Sequence, residues 1–272
     1  MWSRDGWHVT PPVVLTVAGS DSGGGAGIQA DLKTFAAHRC FGASVITAVT
    51  AQNTRAVTAV HPVPPELVAS QLDAVLDDLP VAAVKTGMLG SPEIAELVAQ
   101  RARAGALPNL VVDPVLVAST GYALGVVAAI ERLLPYALVV TPNLAEASAL
   151  VGGPVASPAE MVEAARQLAA RGPRYVVVTG GDQGDPRQAV DAVWADGEVR
   201  LLRLPRVPTG NHHGSGCTFS AAIAAQLARG VPVPAAVEIA KSYVARALAG
   251  AAGWRVGGGI GPLDHFDWRL ED

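Results

Sequence analysis

Two cysteines in 272 residues, Cys40 and Cys217, make no disulfide framework and fit a reducing cytoplasm. Lysine is nearly as scarce, three residues against seventeen arginines. The net charge is −4 and no basic block occurs, which excludes a nucleic-acid-binding surface. No apolar run approaches the roughly 18 residues that a membrane-spanning helix requires, so no membrane partner is expected. Residues 1–12 lack the apolar segment of a signal peptide and read as a loose extension, leaving 13–272 as a single domain. No Gly-Lys pair exists, which excludes a Walker-type phosphate loop. Gly25 to Ala30 matches G-x-G-x-x-A, but residues 32–65 contain no acid. A dinucleotide-binding fold keeps its ribose-binding carboxylate in that interval.

What the chain has is apolar mass: 50% hydrophobic against 16% charged residues, enough for a large core and too little charge for disorder. Short β-branched runs at 13–18, 45–51, 82–85, 110–113, 138–141 and 175–179 alternate with alanine-rich helical stretches. Helices are expected at 28–38, from Pro65 to about 79, after Ser91-Pro92-Glu93, and at 216–229 and 234–251. Residues 189–194 and 199–204 read as a hairpin around Asp196-Gly197. The repeated strand–loop–helix order predicts a three-layer α/β sandwich with a mostly parallel sheet. Its ligands would lie at the carboxyl ends of the strands.

The loops at those ends carry the candidate chemistry. His213-Gly214-Ser215-Gly216-Cys217-Thr218 opens directly into an apolar helix. Glycines admit a ligand close to the backbone, and a helix start offers unpaired N–H groups to an anion. A thiol in the first helical turn is expected to ionise more easily, so the motif reads as an anion cradle holding a base, or as a plain junction with a small cysteine. Asp31, after the glycine-rich loop 19–27, either answers the helix dipole or reaches a polar substrate. Gln52 can donate and accept at once, which suits a heterocycle edge, or is a loop amide. Lys85 ends an apolar strand and needs a partner, and Met88 is core or padding for a flat ligand. Asn143 and Glu146 have capping-box spacing. Alternatively, they meet Asp113 around magnesium and phosphate.

The chain resembles the hydroxymethylpyrimidine/phosphomethylpyrimidine kinases of thiamine biosynthesis, within the ribokinase-like superfamily, over residues 13–267. The resemblance is carried by Ala18-Gly19-Ser20-Asp21-Ser22-Gly23-Gly24-Gly25-Ala26-Gly27-Ile28-Gln29-Ala30-Asp31, Thr50-Ala51-Gln52-Asn53-Thr54 and Lys85-Thr86-Gly87-Met88-Leu89. Asp113-Pro114-Val115, Thr141-Pro142-Asn143-Leu144-Ala145-Glu146 and the motif from His213 to Thr218 continue it. It implies a ribokinase-like αβα sandwich that uses ATP and Mg2+ to phosphorylate the aminopyrimidine alcohol and then its monophosphate. It also implies a homodimer. Gly19, Asp31, Gln52, Met88 and Val115 would surround the pyrimidine. Asp113, Asn143, Thr179 and Gly181 would face nucleotide and phosphates, and Glu146 with Asp113 the metal. Gly214, Ser215, Gly216 and Cys217 would form the anion hole, with Cys217 as base. Against the family pattern, Ser119 and Thr179 stand where lysines are usual, and Asp182 adds an anion. A pyridoxal or pyridoxine kinase, and a pyrimidine-binding regulatory protein, are the competing readings. Gln52, Met88 and Cys217 together favour the pyrimidine.

Overall fold

In chain order the elements are β1 (Val13–Ser20), α1 (Gly27–Ala37), β2 (Phe41–Gln52), β3 (Val57–Pro62), α2 (Pro65–Asp78), β4 (Val81–Thr86), α3 (Pro92–Arg103), β5 (Val111–Val112) and α4 (Tyr122–Leu133). They continue as β6 (Val139–Val140), α5 (Leu144–Val151), α6 (Pro158–Ala169), β7 (Tyr175–Thr179), β8 (Gln188–Ala195), β9 (Glu198–Pro205), α7 (Ser215–Ala228) and α8 (Val233–Gly250). The computed structural model describes residues 10–116, 122–181 and 186–268. Ser119, Asp182 and most of the expected N-terminal extension lie outside the described residues.

The strands form one sheet in the order β3-β2-β1-β4-β5-β6-β7-β8-β9. The run from β2 to β7 is parallel, and β3, β8 and β9 add antiparallel edges. Parallel strands are buried on both faces, which explains their continuous apolar runs. Val14, Ala83, Val111, Val139 and Val177 face α7 and α8, whereas Leu15, Val84, Val112, Val140 and Val178 face the core shared with α2, α3, α5 and α6. The result is the three-layer sandwich expected from the alternation. The hairpin also forms as expected: Asp196 and Gly197 both take positive φ, 51° and 90°, as a tight two-residue turn demands.

Helix α7 is alanine-rich and buried over every residue from Thr218 to Leu227, the pattern of a helix enclosed on all sides. That enclosure fixes its first turn beside the carboxyl ends of the parallel strands. Gly214, its N-cap, has φ +85°, and a Cβ there would collide with the Gly25 carbonyl. The two glycine-rich loops are therefore in direct backbone contact, and only glycine fits at the junction.

Candidate active site

A cleft of ≈ 700 Å³ opens over these strand ends. Its lining includes Asp113, Val115, Asn143, Glu146, Thr179 and Gly181, together with the run from Gly214 to Cys217. Ten of the fourteen candidate residues therefore share one cavity. Gly19, Asp31, Gln52 and Met88 do not line it. Gln52 nevertheless reaches the anion loop, with its amide Nε2 3.3 Å from His213 Nε2. Gly19 packs so closely on Met88 that a Cβ at residue 19 would strike the methionine's terminal methyl group.

Beneath the first turn of α7 lies a buried charged cluster. Lys85, the next-to-last residue of β4, is fully enclosed and donates to both Asp31 oxygens at 2.9 and 3.0 Å. It also lies 3.7 Å from Asp113 Oδ2. Thr16 donates its hydroxyl to Asp31 at 2.6 Å, and Ser220 of α7 donates to Asp113 at 3.0 Å. Alternation along the strands puts Thr16, Lys85 and Asp113 on the same sheet face as α1 and α7. Lys85 thus has two carboxylate partners, which hold its ammonium above the usual range despite burial. Burial pushes both carboxyls up, opposed by Lys85.

This placement corrects three expectations. Asp31 is the fifth residue of α1 and not in its first turn, and its fully buried carboxylate faces Lys85 and Thr16, so it answers neither the dipole nor a substrate directly. Asp113 reaches the cleft, but its Oδ2 is engaged by Lys85 and Ser220 and is not free for a metal. Cys217 is the third correction. Burial pushes its thiol up from 9.0 to about 12; Lys85 opposes this, while Asp113 and Asp31 add to it. The residue retains partial exposure, but the resting group is a thiol, set beside the Asp113 carboxylate.

The anion cradle survives in narrower form. The Ser215 N–H already donates to the His212 carbonyl at 3.2 Å, so Gly216 and Cys217 supply the open first-turn donors. The facing loop is organised by Asp21, which accepts from the N–H groups of Gly23 (2.8 Å), Gly25 (3.1 Å) and Ala26 (2.9 Å), and from His213 at 2.9 Å. Burial works against its ionisation, but the His213 hydrogen bond and the backbone donors prevail and hold its carboxyl below the usual value.

On the nucleotide side, Asn143 and Glu146 form the capping box that their spacing predicted. Glu146 N donates to Asn143 Oδ1 and Asn143 N to Glu146 Oε2, each at 2.9 Å. Both residues also line the cleft, so the cap and a ligand-facing role coexist. Among the described residues no three His, Cys, Asp or Glu side chains converge as a metal cage. The sequence reading gave no role to Lys241, which α8 brings to the cleft wall as an ion pair with Asp191 at 2.7 Å. Arg206 braces the other wall through the carbonyls of Gly180, Gly181 and Gln188. Lysine in a mostly apolar helix was the available signal for Lys241. Nothing local marked its pairing with a residue 50 positions away.

Comparison with known proteins gives the family and the fold. The chain is 51% identical to the hydroxymethylpyrimidine/phosphomethylpyrimidine kinase of Rhizobium meliloti, over 93% of this chain and 97% of that protein. It is 50% identical to the chloroplastic thiamine biosynthetic bifunctional enzyme of Arabidopsis thaliana, over 94% of this chain but only 50% of that longer protein. Its structure superposes on an ADP complex of Bacillus subtilis pyridoxal kinase with a TM-score of 0.87 at 38% identity, covering 93% of this chain and 97% of that one. The sandwich is accordingly ribokinase-like. A family model described as phosphomethylpyrimidine kinase matches residues 21–264. On that match and those identities, the chain belongs to the phosphomethylpyrimidine kinase family.

Proposed function

We propose that this chain uses ATP to phosphorylate 4-amino-5-hydroxymethyl-2-methylpyrimidine and then the resulting monophosphate, in thiamine biosynthesis. The observation that carries the reading is the open first turn of α7, set between the loop that holds Gln52 and a cleft large enough for a nucleotide. In the first step the hydroxymethyl oxygen bonds to the γ-phosphorus as the β–γ bridge breaks, and ADP leaves with the bonding pair. The Gly216 and Cys217 N–H groups stabilise charge gathering on the transferred oxygens. Because Cys217 rests as a thiol beside Asp113, the hydroxyl proton passes to sulfur as the thiol proton passes to Asp113. The buried cluster then goes from one net negative charge to neutral, and the sulfur never carries a charge. In the second step the acceptor is already an anion and needs no base.

Gly19, Met88 and Val115 would frame the ring, with Gln52 reading its edge. Asp31 serves through Lys85, holding the cation that faces Asp113 and Cys217. Asn143, Thr179 and Gly181 would meet the phosphates. Magnesium normally keeps several waters and takes few protein carboxylates, which suits a wall carrying Glu146 and Asn143 and no cage. When bound, the ion would neutralise phosphate charge, with Glu146 as its protein anchor. Lys241 supplies a cation to the wall where Thr179 replaces the family's lysine. A homodimer working in the cytoplasm completes the proposal.

The test is turnover of the purified protein with ATP, magnesium and the aminopyrimidine alcohol, with mono- and diphosphate products followed by mass spectrometry. Pyridoxal is run in parallel, because the superposed Bacillus subtilis protein is a pyridoxal kinase. Diphosphate from the pyrimidine, at higher kcat/KM than any pyridoxal phosphate, is the expected result. Pyridoxal turned over in preference would overturn the assignment.

A further inference from the structure

Gln52 is held at both ends. Its backbone is clamped by Ser22, whose hydroxyl donates to the Gln52 carbonyl and accepts the Gln52 N–H, both at 2.8 Å. Its amide lies between two side chains, His213 on the nitrogen side at 3.3 Å and Thr50 on the oxygen side, also at 3.3 Å. What those neighbours offer decides which way round the amide sits.

The His213 nitrogen facing the amide also stands 2.9 Å from Asp21 Oδ2. That oxygen already accepts from the N–H groups of Gly25 and Ala26, as an ionised carboxylate does. His213 Nε2 therefore carries one hydrogen, given first to Asp21 and leaving no lone pair for an amide N–H2, whereas an amide oxygen can share that hydrogen. Thr50 gives its hydroxyl hydrogen to the Ser20 carbonyl at 2.9 Å, so toward Gln52 it offers only lone pairs. It calls for the amide nitrogen. Both neighbours select the amide turned by half a revolution, oxygen toward His213 and nitrogen toward Thr50.

We propose that His213 is a specificity-determining positioning residue: anchored by Asp21, it locks the Gln52 amide and so fixes the order of donor and acceptor offered to the heterocycle. This rests on the reading of Gln52 as the pyrimidine contact. An aminopyrimidine presents a ring-nitrogen acceptor beside an amine donor, and its 4-oxo counterpart presents the reverse. The hydroxymethyl group must point at the start of α7, so the ring cannot turn over to compensate. A locked amide accepts one order, and a freely turning amide accepts both.

The experiment compares kcat/KM for the aminopyrimidine and its 4-oxo counterpart in wild type, His213→Phe, His213→Met and His213→Gln, with KM for ATP alongside. Loss of one locking hydrogen bond in the two donorless variants is expected to shrink the amino/oxo preference about 10- to 100-fold. KM for ATP should stay within about threefold of wild type, and His213→Gln, which can still donate to Asp21, should retain the preference. An unchanged preference in the donorless variants overturns the inference. So does a uniform loss on both substrates and ATP, since His213 would then be only a latch between loops. In the folded wild type, the Gln52 side-chain N–H2 should show nuclear Overhauser contacts to the Thr50 methyl. Contacts to the His213 ring in their place would also overturn it, whether or not the variants fold. Failure of the underlying reading looks different: wild type inactive on the aminopyrimidine, or Gln52→Leu leaving its KM unchanged. Either takes this inference down with it.

Discussion

Replacing Lys85 by methionine removes one positive charge from between two buried carboxylates while nearly conserving volume. Lys85 stands 2.9 Å from Asp31 and 3.7 Å from Asp113, and none of the three retains appreciable exposure. At an effective dielectric of about 20, such separations correspond to attractions of roughly 6 and 4 kcal/mol before desolvation is subtracted. Breaking a buried pair from one side costs about 3–5 kcal/mol net, because the abandoned charge remains buried. For a domain of this size that should lower Tm by about 6–20 °C. The penalty should depend on pH with a definite sign. Without Lys85 the Asp31 carboxyl rises further above its unfolded value, so the native state binds the extra proton. The penalty is then complete above that raised pKa and shrinks as pH falls toward about 4. Urea denaturation at pH 8 and pH 5 reads both effects. Adding Asp31→Asn to Lys85→Met should restore at least half of the loss. A Lys85→Met penalty under about 1 kcal/mol, or one that grows on acidification, would refute the account of the cluster.

Two buried histidines should make the fold acid-sensitive. Burial lowers His38 and His265 from 6.5 to about 4, so stability is complete above 6.5 and falls as pH drops from there to about 4. The limit is about 3 kcal/mol for each, and a Tm that stays flat from pH 7 to 4.5 would contradict it. The Cys217 thiol, pushed up to about 12, should react with iodoacetamide at pH 7.5 on the order of 10²–10³ times more slowly than free cysteine. Labelling at the free-cysteine rate would mean that Lys85 outweighs burial. Cys217→Ala should lower turnover on the alcohol by about 10²–10⁴. Turnover of the monophosphate should change by less than about tenfold, since that step removes no hydroxyl proton, and equal losses in both steps would count against the proton route.

The architecture was legible wherever a local rule and the tertiary environment agreed. Asp196-Gly197 set the hairpin because both residues tolerate positive φ, and Asn143 with Glu146 set a helix start because the cap is closed by its own neighbours. The buried cluster was not legible, because its members come from β1, α1, β4, the residue after β5 and α7, and meet only across two layers. Lys85 and Asp31 are 54 positions apart. Gln52 and His213 are 161 apart, so the sequence marked the amide as a candidate but not the histidine that orients it.

Cys217 shows why a sound local rule can yield the wrong sign. A helix start favours a nearby anion by about 0.3–1 kcal/mol, less than one pKa unit for a thiol. Burial beside Asp113 and Asp31 moves the same thiol from 9.0 to about 12, roughly 4 kcal/mol the other way. The helix dipole is written in the sequence around residues 214–218. The burial and the two carboxylates arrive only when the sheet and α7 close on one another. The cluster already carries two carboxylates against one ammonium, so a resting thiolate would add a second net negative charge to a dry site. A thiol that gives up its proton to Asp113 only as it receives one from the substrate avoids that charge. The residue that looked like a ready-made base therefore acts, on this reasoning, as one link in a proton path.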